Sequence, residues 1–292
     1  MKKILIILSL AVLFTACSDD DFQPSILDTE EENLSELDRW IVDNFRKPHN
    51  MDIIYHWDDF EADPSYVLVP PKEEKVEPFL RVIRKMWIEP YVDLAGDDFF
   101  NTYCPKQIML VGSAGYNEDG TYTMGQTESG SKITIFNLNM DNPAEENAMV
   151  SYTHTFHHEF AHVFHQTVEL PEAFELVTAN AYTSSWTSVS NTDALNTYGC
   201  ISAYAMADAD EDFAEMIAYF LRMNKENWEK IVNNQFNEGC KKIKEKETIM
   251  LNYMQNVWGI NMYQLREKVQ RGMNDILLGN YSFLSRDRKS VV

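Results

Sequence analysis

The sequence predicts an α+β protein with a mixed α/β N-terminal lobe and a mainly helical C-terminal lobe. Three observations predict it. Two short apolar runs, KQIMLVGS at 106–113 and KITIFNLN at 132–139, read as strands. Downstream of them, helical spacing dominates. Hydrophobic residues make up 45% and aromatics 12%, so a packed core is feasible, and 292 residues suffice for one large domain or two small ones.

The elements follow in order. Residues 1–16 are not fold: MKK is a positive start, ILIILSLAVLF is apolar but short for a membrane span, and small residues precede Cys17. The run Leu13, Phe14, Thr15, Ala16, Cys17 resembles the lipobox of a bacterial lipoprotein signal, with Phe14 where Leu is usual. That resemblance implies lipidation of Cys17 and a chain anchored to, not spanning, the outer membrane. Residues 17–34 then read as an acidic tether: from Ser18 to Asp38 there are nine acids and no base, so the stretch repels itself. In Bacteroidota lipoproteins such a run resembles a surface-export signal. It implies the cell surface, with the periplasmic face as the alternative.

The folded domain is expected over 35–282. A helix at 35–45 places Leu37, Trp40, Ile41 and Phe45 on one side. NMDIIYHW reads as a short strand, VLVPPKEEK as a loop, and 73–94 as a helix. The segment 115–131 is rich in turn residues and reads as a hairpin or extended loop. The strand 132–139 is expected to offer its edge to an extended peptide. A long helix should run from the cap at Asp141 or Asn142, through Pro143, to about Val168. A polar stretch covers 178–198, and helices are expected at 210–223, 226–234, 238–257 and 262–278. The tail 283–292 frays. After Cys17, three cysteines remain (Cys104, Cys200, Cys240), which allow at most one internal disulfide and show no zinc-site spacing.

The net charge of −21 argues against nucleic acid or anionic lipid as a partner, because phosphate recognition needs clustered Lys and Arg. The chemistry concentrates elsewhere. Five of the seven histidines lie in SYTHTFHHEFAHVFHQ, residues 151–166, and His158-Glu159-Phe160-Ala161-His162 is an HExxH match. Residues four apart on a helix lie nearly one above the other, so His158 and His162 can reach one zinc ion, with Glu159 beside a metal-bound water. His154 and His165 extend that face by a turn each way, too far along the axis to join the same ion. They read as site-lining or hydrogen-bonded residues. His157 should face a neighbouring element.

A catalytic zinc needs a third protein ligand and an open position. The extended HExxHxxGxxH arrangement is excluded, because His165 and Val168 occupy its last two positions. The best source is the helix ADADEDFAEMIAYF, where Glu211 and Glu215 stand four apart on one face and Phe213, Met216, Ile217 and Phe220 can pack the other.

HHEFAHVFHQ followed by SAYAMADADEDFAEMIAYF resembles the family of substrate import-associated zinc metallohydrolase lipoproteins, also called putative zinc-binding metallopeptidases. The layout is also similar to the gluzincin peptidase domain of anthrax lethal factor, with its Tyr-x6-Glu-x3-Glu arrangement. The resemblance implies a zincin-like metallopeptidase domain over 35–282, with one Zn²⁺ per chain held by His158, His162 and Glu211. It implies Glu159 as catalytic base, Tyr204 as donor to the oxyanion, and Glu215 as the residue that orients a ligand imidazole. It further implies a peptide or protein substrate and work beside a TonB-dependent transporter and its substrate-binding lipoprotein. The alternative is a non-catalytic zinc-containing binding or accessory lipoprotein of that transporter complex.

Overall fold

The computed structural model describes residues 34–56, 66–116, 122–123, 125–128, 131–140 and 142–280. The signal, almost all of the tether and the tail expected from the sequence lie outside them. The chain divides into two units between Arg39 and Trp40. What is described of the first is the start of helix α1 (Glu36–Ile41). Ser35 and Asp38 cap it reciprocally: Asp38 N donates to Ser35 Oγ at 3.0 Å, and Ser35 N to Asp38 Oδ2 at 3.1 Å.

The second unit holds the rest. The helix carries on through a wider turn (Val42–Arg46) to His49, where Asn50, left-handed at φ 49°, stops it. Strand β1 (Asp52–Ile54) follows, then helix α2 (Glu73–Ile83), which continues as a wider turn (Arg84–Ile88) and a last segment (Glu89–Ala95). After helix α3 (Asp97–Tyr103) come β2 (Gln107–Leu110), β3 (Gly115–Tyr116), β4 (Tyr122–Thr123), β5 (Gly125–Glu128) and β6 (Lys132–Ile135).

The main sheet has the order β1-β2-β6-β5. β1, β2 and β6 are parallel, with Ile53 opposite Ile108 and Ile108 opposite Ile133. Parallel strands are covered on both faces, and here all four residues of β6, Lys132 and Thr134 included, and three of the four of β2 are buried. β5 runs antiparallel to β6, Thr127 opposite Ile133. This corrects the expected substrate edge: β6 is flanked by β2 and β5, and the edge strands are β1 and β5. β6 is also shorter than expected, because the chain leaves the sheet after Ile135, with Asn137 at φ 67°. Gly125 permits a close approach: a Cβ there would sit 2.3 Å from Thr155 Cγ2 on the helix that follows.

That helix, α4 (Glu146–Thr167), starts later than the expected cap. Asn142 instead caps a local turn, its Oδ1 accepting from Ala144 N at 3.3 Å, and Glu145 N donates to Asn142 O at 3.0 Å. Asp141 lies outside the described residues. Helix α5 (Glu172–Thr178) and a run of short irregular turns through Met206 follow, as the polar composition there predicts. The remaining helices are α6 (Ala209–Arg222), α7 (Lys225–Val232), α8 (Glu238–Trp258) and α9 (Met262–Leu277). Each begins on a side chain that accepts from its first-turn amides: Asp208, Asn224, Asn237 and Asn261. Such caps stabilise by about 1 kcal/mol each. Cys104, Cys200 and Cys240 are buried free thiols, and none pairs with another.

Candidate metal centre

The centre is built on the two faces of α4. Tyr152, Phe156, Phe160 and Phe164 recur every fourth residue and are fully buried. They stack on α2 and its continuation: Phe79 on Tyr152 at 5.0 Å, Trp87 on Phe156 at 5.0 Å, and Tyr91 on Phe160 at 4.8 Å between ring centroids. His157 belongs to this side. Its Nε2 donates to Met86 O at 3.2 Å, and Nδ1 faces the Tyr91 hydroxyl at 3.4 Å. Burial pushes its pKa down to about 3, so it is a neutral core residue.

The opposite side of α4 carries His154, His158, His162 and His165, and it meets α6. The Asp208 carboxylate fixes the start of α6 by accepting from Asp210 N at 3.0 Å and Glu211 N at 2.9 Å. Phe213, Met216, Ile217 and Phe220 are fully buried, as their spacing predicts. A buried ion pair between Asp212 and Lys246 ties α6 to α8, and Lys246 Nζ also donates to Gly199 O at 2.9 Å. Asp212 further accepts from Thr178 Oγ1 at 3.1 Å and the Tyr182 hydroxyl at 3.0 Å. Glu211 and Glu215 are thereby presented to α4.

Three donor atoms converge. His158 Nε2 lies 3.1 Å from His162 Nε2 and 3.1 Å from Glu211 Oε2, and His162 Nε2 lies 3.5 Å from Glu211 Oε2. Zinc bonds of about 2.0–2.1 Å in a tetrahedron put the donors about 3.3–3.4 Å apart, so the triangle has the size that a zinc ion requires. Glu211 Oε2 is buried and makes no hydrogen bond, although both imidazoles are near. Burial alone would lower the His158 pKa, but the Glu211 and Glu215 carboxylates outweigh it and raise it to about 10. The seat is built for a positive charge. The residues present fit zinc in number, type and spacing.

His154, His158 and Glu215 form a second cluster of metal-ligating type. Its groups already face one another instead. Glu215 is 4% exposed, and its Oε1 accepts from His154 Nε2 at 2.8 Å and lies 2.9 Å from His158 Nδ1, while Oε2 accepts from Ser202 Oγ at 2.5 Å. His158 cannot offer both nitrogens to metal while neutral. Glu211, 20% exposed, is the open end.

Tyr204 stacks on His158 at 5.8 Å with an interplanar angle of 28° and is itself edged by Trp186 at 4.9 Å. Burial and the neighbouring Glu211 carboxylate raise its pKa, so the phenol keeps its proton. The Glu159 charge is felt by both His158 and Tyr204. The structure thus gathers His158, Glu159, His162, Tyr204, Glu211 and Glu215 in one place. It adds four residues that sequence reasoning did not assign. Ser202 and Lys246 carried no signal. Asp212 was visible only as one more acid in ADADEDF. Asp210 faces His165 Nδ1 at 3.4 Å.

The chain matches the family model described as "Putative zinc-binding metallo-peptidase" over residues 30–263. Among solved structures it is similar to a putative zinc-binding metallo-peptidase from Bacteroides caccae, with a TM-score of 0.73 and 31% identity over 89% of this chain and 99% of that one. No curated protein matches. A match over most of the chain, a shared zincin-like fold and a His/Glu seat of zinc dimensions place this chain in the putative zinc-binding metallo-peptidase family, with zinc as its metal.

Proposed function

We propose that the chain is a zinc-dependent peptidase that cleaves peptide bonds at a cell-surface import system. One observation carries the catalytic part. The seat formed by His158, His162 and Glu211 lies against a protonated phenol, Tyr204, and within the electrostatic reach of Glu159, the residue next to His158 on the helix. Bound there, zinc supplies Lewis-acid polarisation of the scissile carbonyl and acidifies water. Glu159 takes the proton of the attacking water and passes it to the leaving amine nitrogen. Tyr204 donates its hydroxyl proton in a hydrogen bond to the oxyanion that develops on the substrate. Glu215 holds the ring of His158 from behind at Nδ1, at 2.9 Å. An extended substrate would lie along β5, the sheet edge that Gly125 seats against α4.

The lipobox run ending at Cys17 and the acidic tether support lipid anchoring at the outer membrane, facing outward, beside a TonB-dependent transporter and its substrate-binding lipoprotein. No described helix is long and apolar enough to cross a membrane.

The test is cleavage of a peptide library by the zinc-loaded wild type against Glu159→Gln. Cleavage by wild type alone, with equal zinc in both, supports the peptidase. Zinc binding with no cleavage by either overturns it in favour of an accessory binder. Protease shaving of intact cells tests the outward location.

A further inference from the structure

The motif leaves His165 without a role, and the structure places it directly behind a metal ligand. His165 Nε2 lies 2.7 Å from His162 Nδ1, and its side chain is 6% exposed. At that separation two bare nitrogens repel and two N–H groups collide, so one proton lies between them. The other nitrogen of His162 decides whose proton it is. His162 Nε2 faces His158 Nε2 at 3.1 Å and Glu211 Oε2 at 3.5 Å, and it can ligate a cation only if it is bare. The proton therefore sits on His162 Nδ1 and is donated to His165 Nε2. His165 must then carry its own proton on Nδ1, which faces Asp210 Oδ1 at 3.4 Å.

The two ligand imidazoles are thus backed differently. His158 has the Glu215 carboxylate behind it, whereas His162 has a second imidazole and then a carboxylate. Helix α6 supplies both ends of the longer chain. Glu211 enters the seat, its neighbour Asp210 closes the relay, and one Asp208 carboxylate caps the backbone amides of both. A seat and a relay anchored to the same first turn stay in register.

We infer that His165 is a positioning residue for zinc: it accepts the Nδ1 proton of His162, fixes that ring with Nε2 towards the metal, and is itself oriented by Asp210. The inference rests on His162 being a ligand. Such partners behind a ligand are worth about 10–100-fold in metal affinity.

The experiment measures zinc dissociation constants of the purified chain at one pH by competition with a chromophoric chelator. His165→Phe keeps a ring but cannot accept, and should bind zinc about 10–100-fold more weakly. His165→Gln, with an oxygen near the Nε2 position, should recover most of that loss. Metal-free melting temperatures of the two variants should agree with that of the wild type. Wild-type affinity in His165→Phe would overturn the relay while leaving the ligand assignment intact. Undiminished zinc in His162→Ala would overturn both. Should His165→Phe not fold, long-range ¹H–¹⁵N correlations on the zinc-loaded wild type decide. A proton on His162 Nδ1 and on His165 Nδ1 supports the relay, and any other tautomer pair overturns it.

Discussion

His157 and His158 are consecutive residues of one helix, and their surroundings drive them in opposite directions. His157 turns to the aromatic side, where burial among Met86 and Tyr91 takes its pKa down to about 3. His158 turns to α6, where, against the same burial, two carboxylates take it up to about 10. A rotation of about 100° per residue separates the scaffold from the reactive centre. The lesson is that a histidine-rich helix is not a metal site along its length. The helix on the far side decides which histidines meet carboxylate. If the two faces are independent, changes on one should alter stability and changes on the other should alter zinc.

The largest effect is expected on the scaffold face. Phe160 is fully buried and packs on Trp87, Tyr91, Phe100 and Phe164. Phe160→Ala should destabilise the metal-free chain by about 3–5 kcal/mol in urea unfolding. A loss below about 1 kcal/mol would mean that the face is not load-sharing core.

The helix itself was legible in advance, and so was the turn of His157 towards a neighbouring element; the aromatics at every fourth position carry a helical period but were not singled out as its packed face. The C-terminal helices were legible to within a residue or two from their helical spacing, and the Asx residues that cap them were not read as caps. HExxH marked the seat because its spacing is local. What could not be read depends on tertiary contact. The edge next to β6 is formed by β5 rather than by β6 itself, because sheet order is set by which strands pair, not by how apolar each one is. Ser202 on Glu215 and Lys246 on Asp212 join residues 13 and 34 positions apart. Nothing in TYGCISAY or KKIKEK marks those side chains for burial.

Next in size is removal of the third donor from the opposite face. Zinc at about 1,000 times its dissociation constant stabilises the folded chain by about 4 kcal/mol. Glu211→Ala should abolish that gain, so that adding a chelator no longer lowers the melting temperature. The metal-free melting temperature is measured alongside, because Glu211 also faces the His158 and His162 rings at 3.1 and 3.5 Å and that attraction is lost too. A full chelator effect in this variant would remove Glu211 from the seat.

Tyr204→Phe separates chemistry from metal on the same face. The ring can still stack on His158, and only the hydroxyl is gone. The turnover number should fall about 10²–10³-fold with zinc content unchanged. An unchanged rate would assign Tyr204 to packing alone. Glu215→Gln probes the residue behind His158. The amide can still meet Ser202 but cannot match the charge that orients two imidazoles. Zinc should bind about 10–100-fold more weakly. Equal affinity would show that the Glu215 contact does not tune the ligand.

The smallest effect tests whether the scaffold side holds its histidines neutral in general. His49 lies outside α4 but within the same aromatic cluster, its ring 5.2 Å from Phe100, with Nδ1 donating to Asn101 Oδ1 at 2.8 Å. Burial lowers its pKa, and the Asn101 hydrogen bond opposes that only in part. Below about pH 6.5 the unfolded chain therefore binds a proton that the folded chain resists. Stability rises with pH through that window, is fully present above it, and is lost as pH falls. Urea midpoints of the metal-free chain at pH 7.5 and 5.0 should drop less in His49→Gln than in wild type, since Gln can still donate to Asn101 but cannot titrate. Equal drops would show that His49 accepts its proton in place. The aromatic side would then tolerate a charge, and the contrast with His158 would rest on the carboxylates of α6 alone.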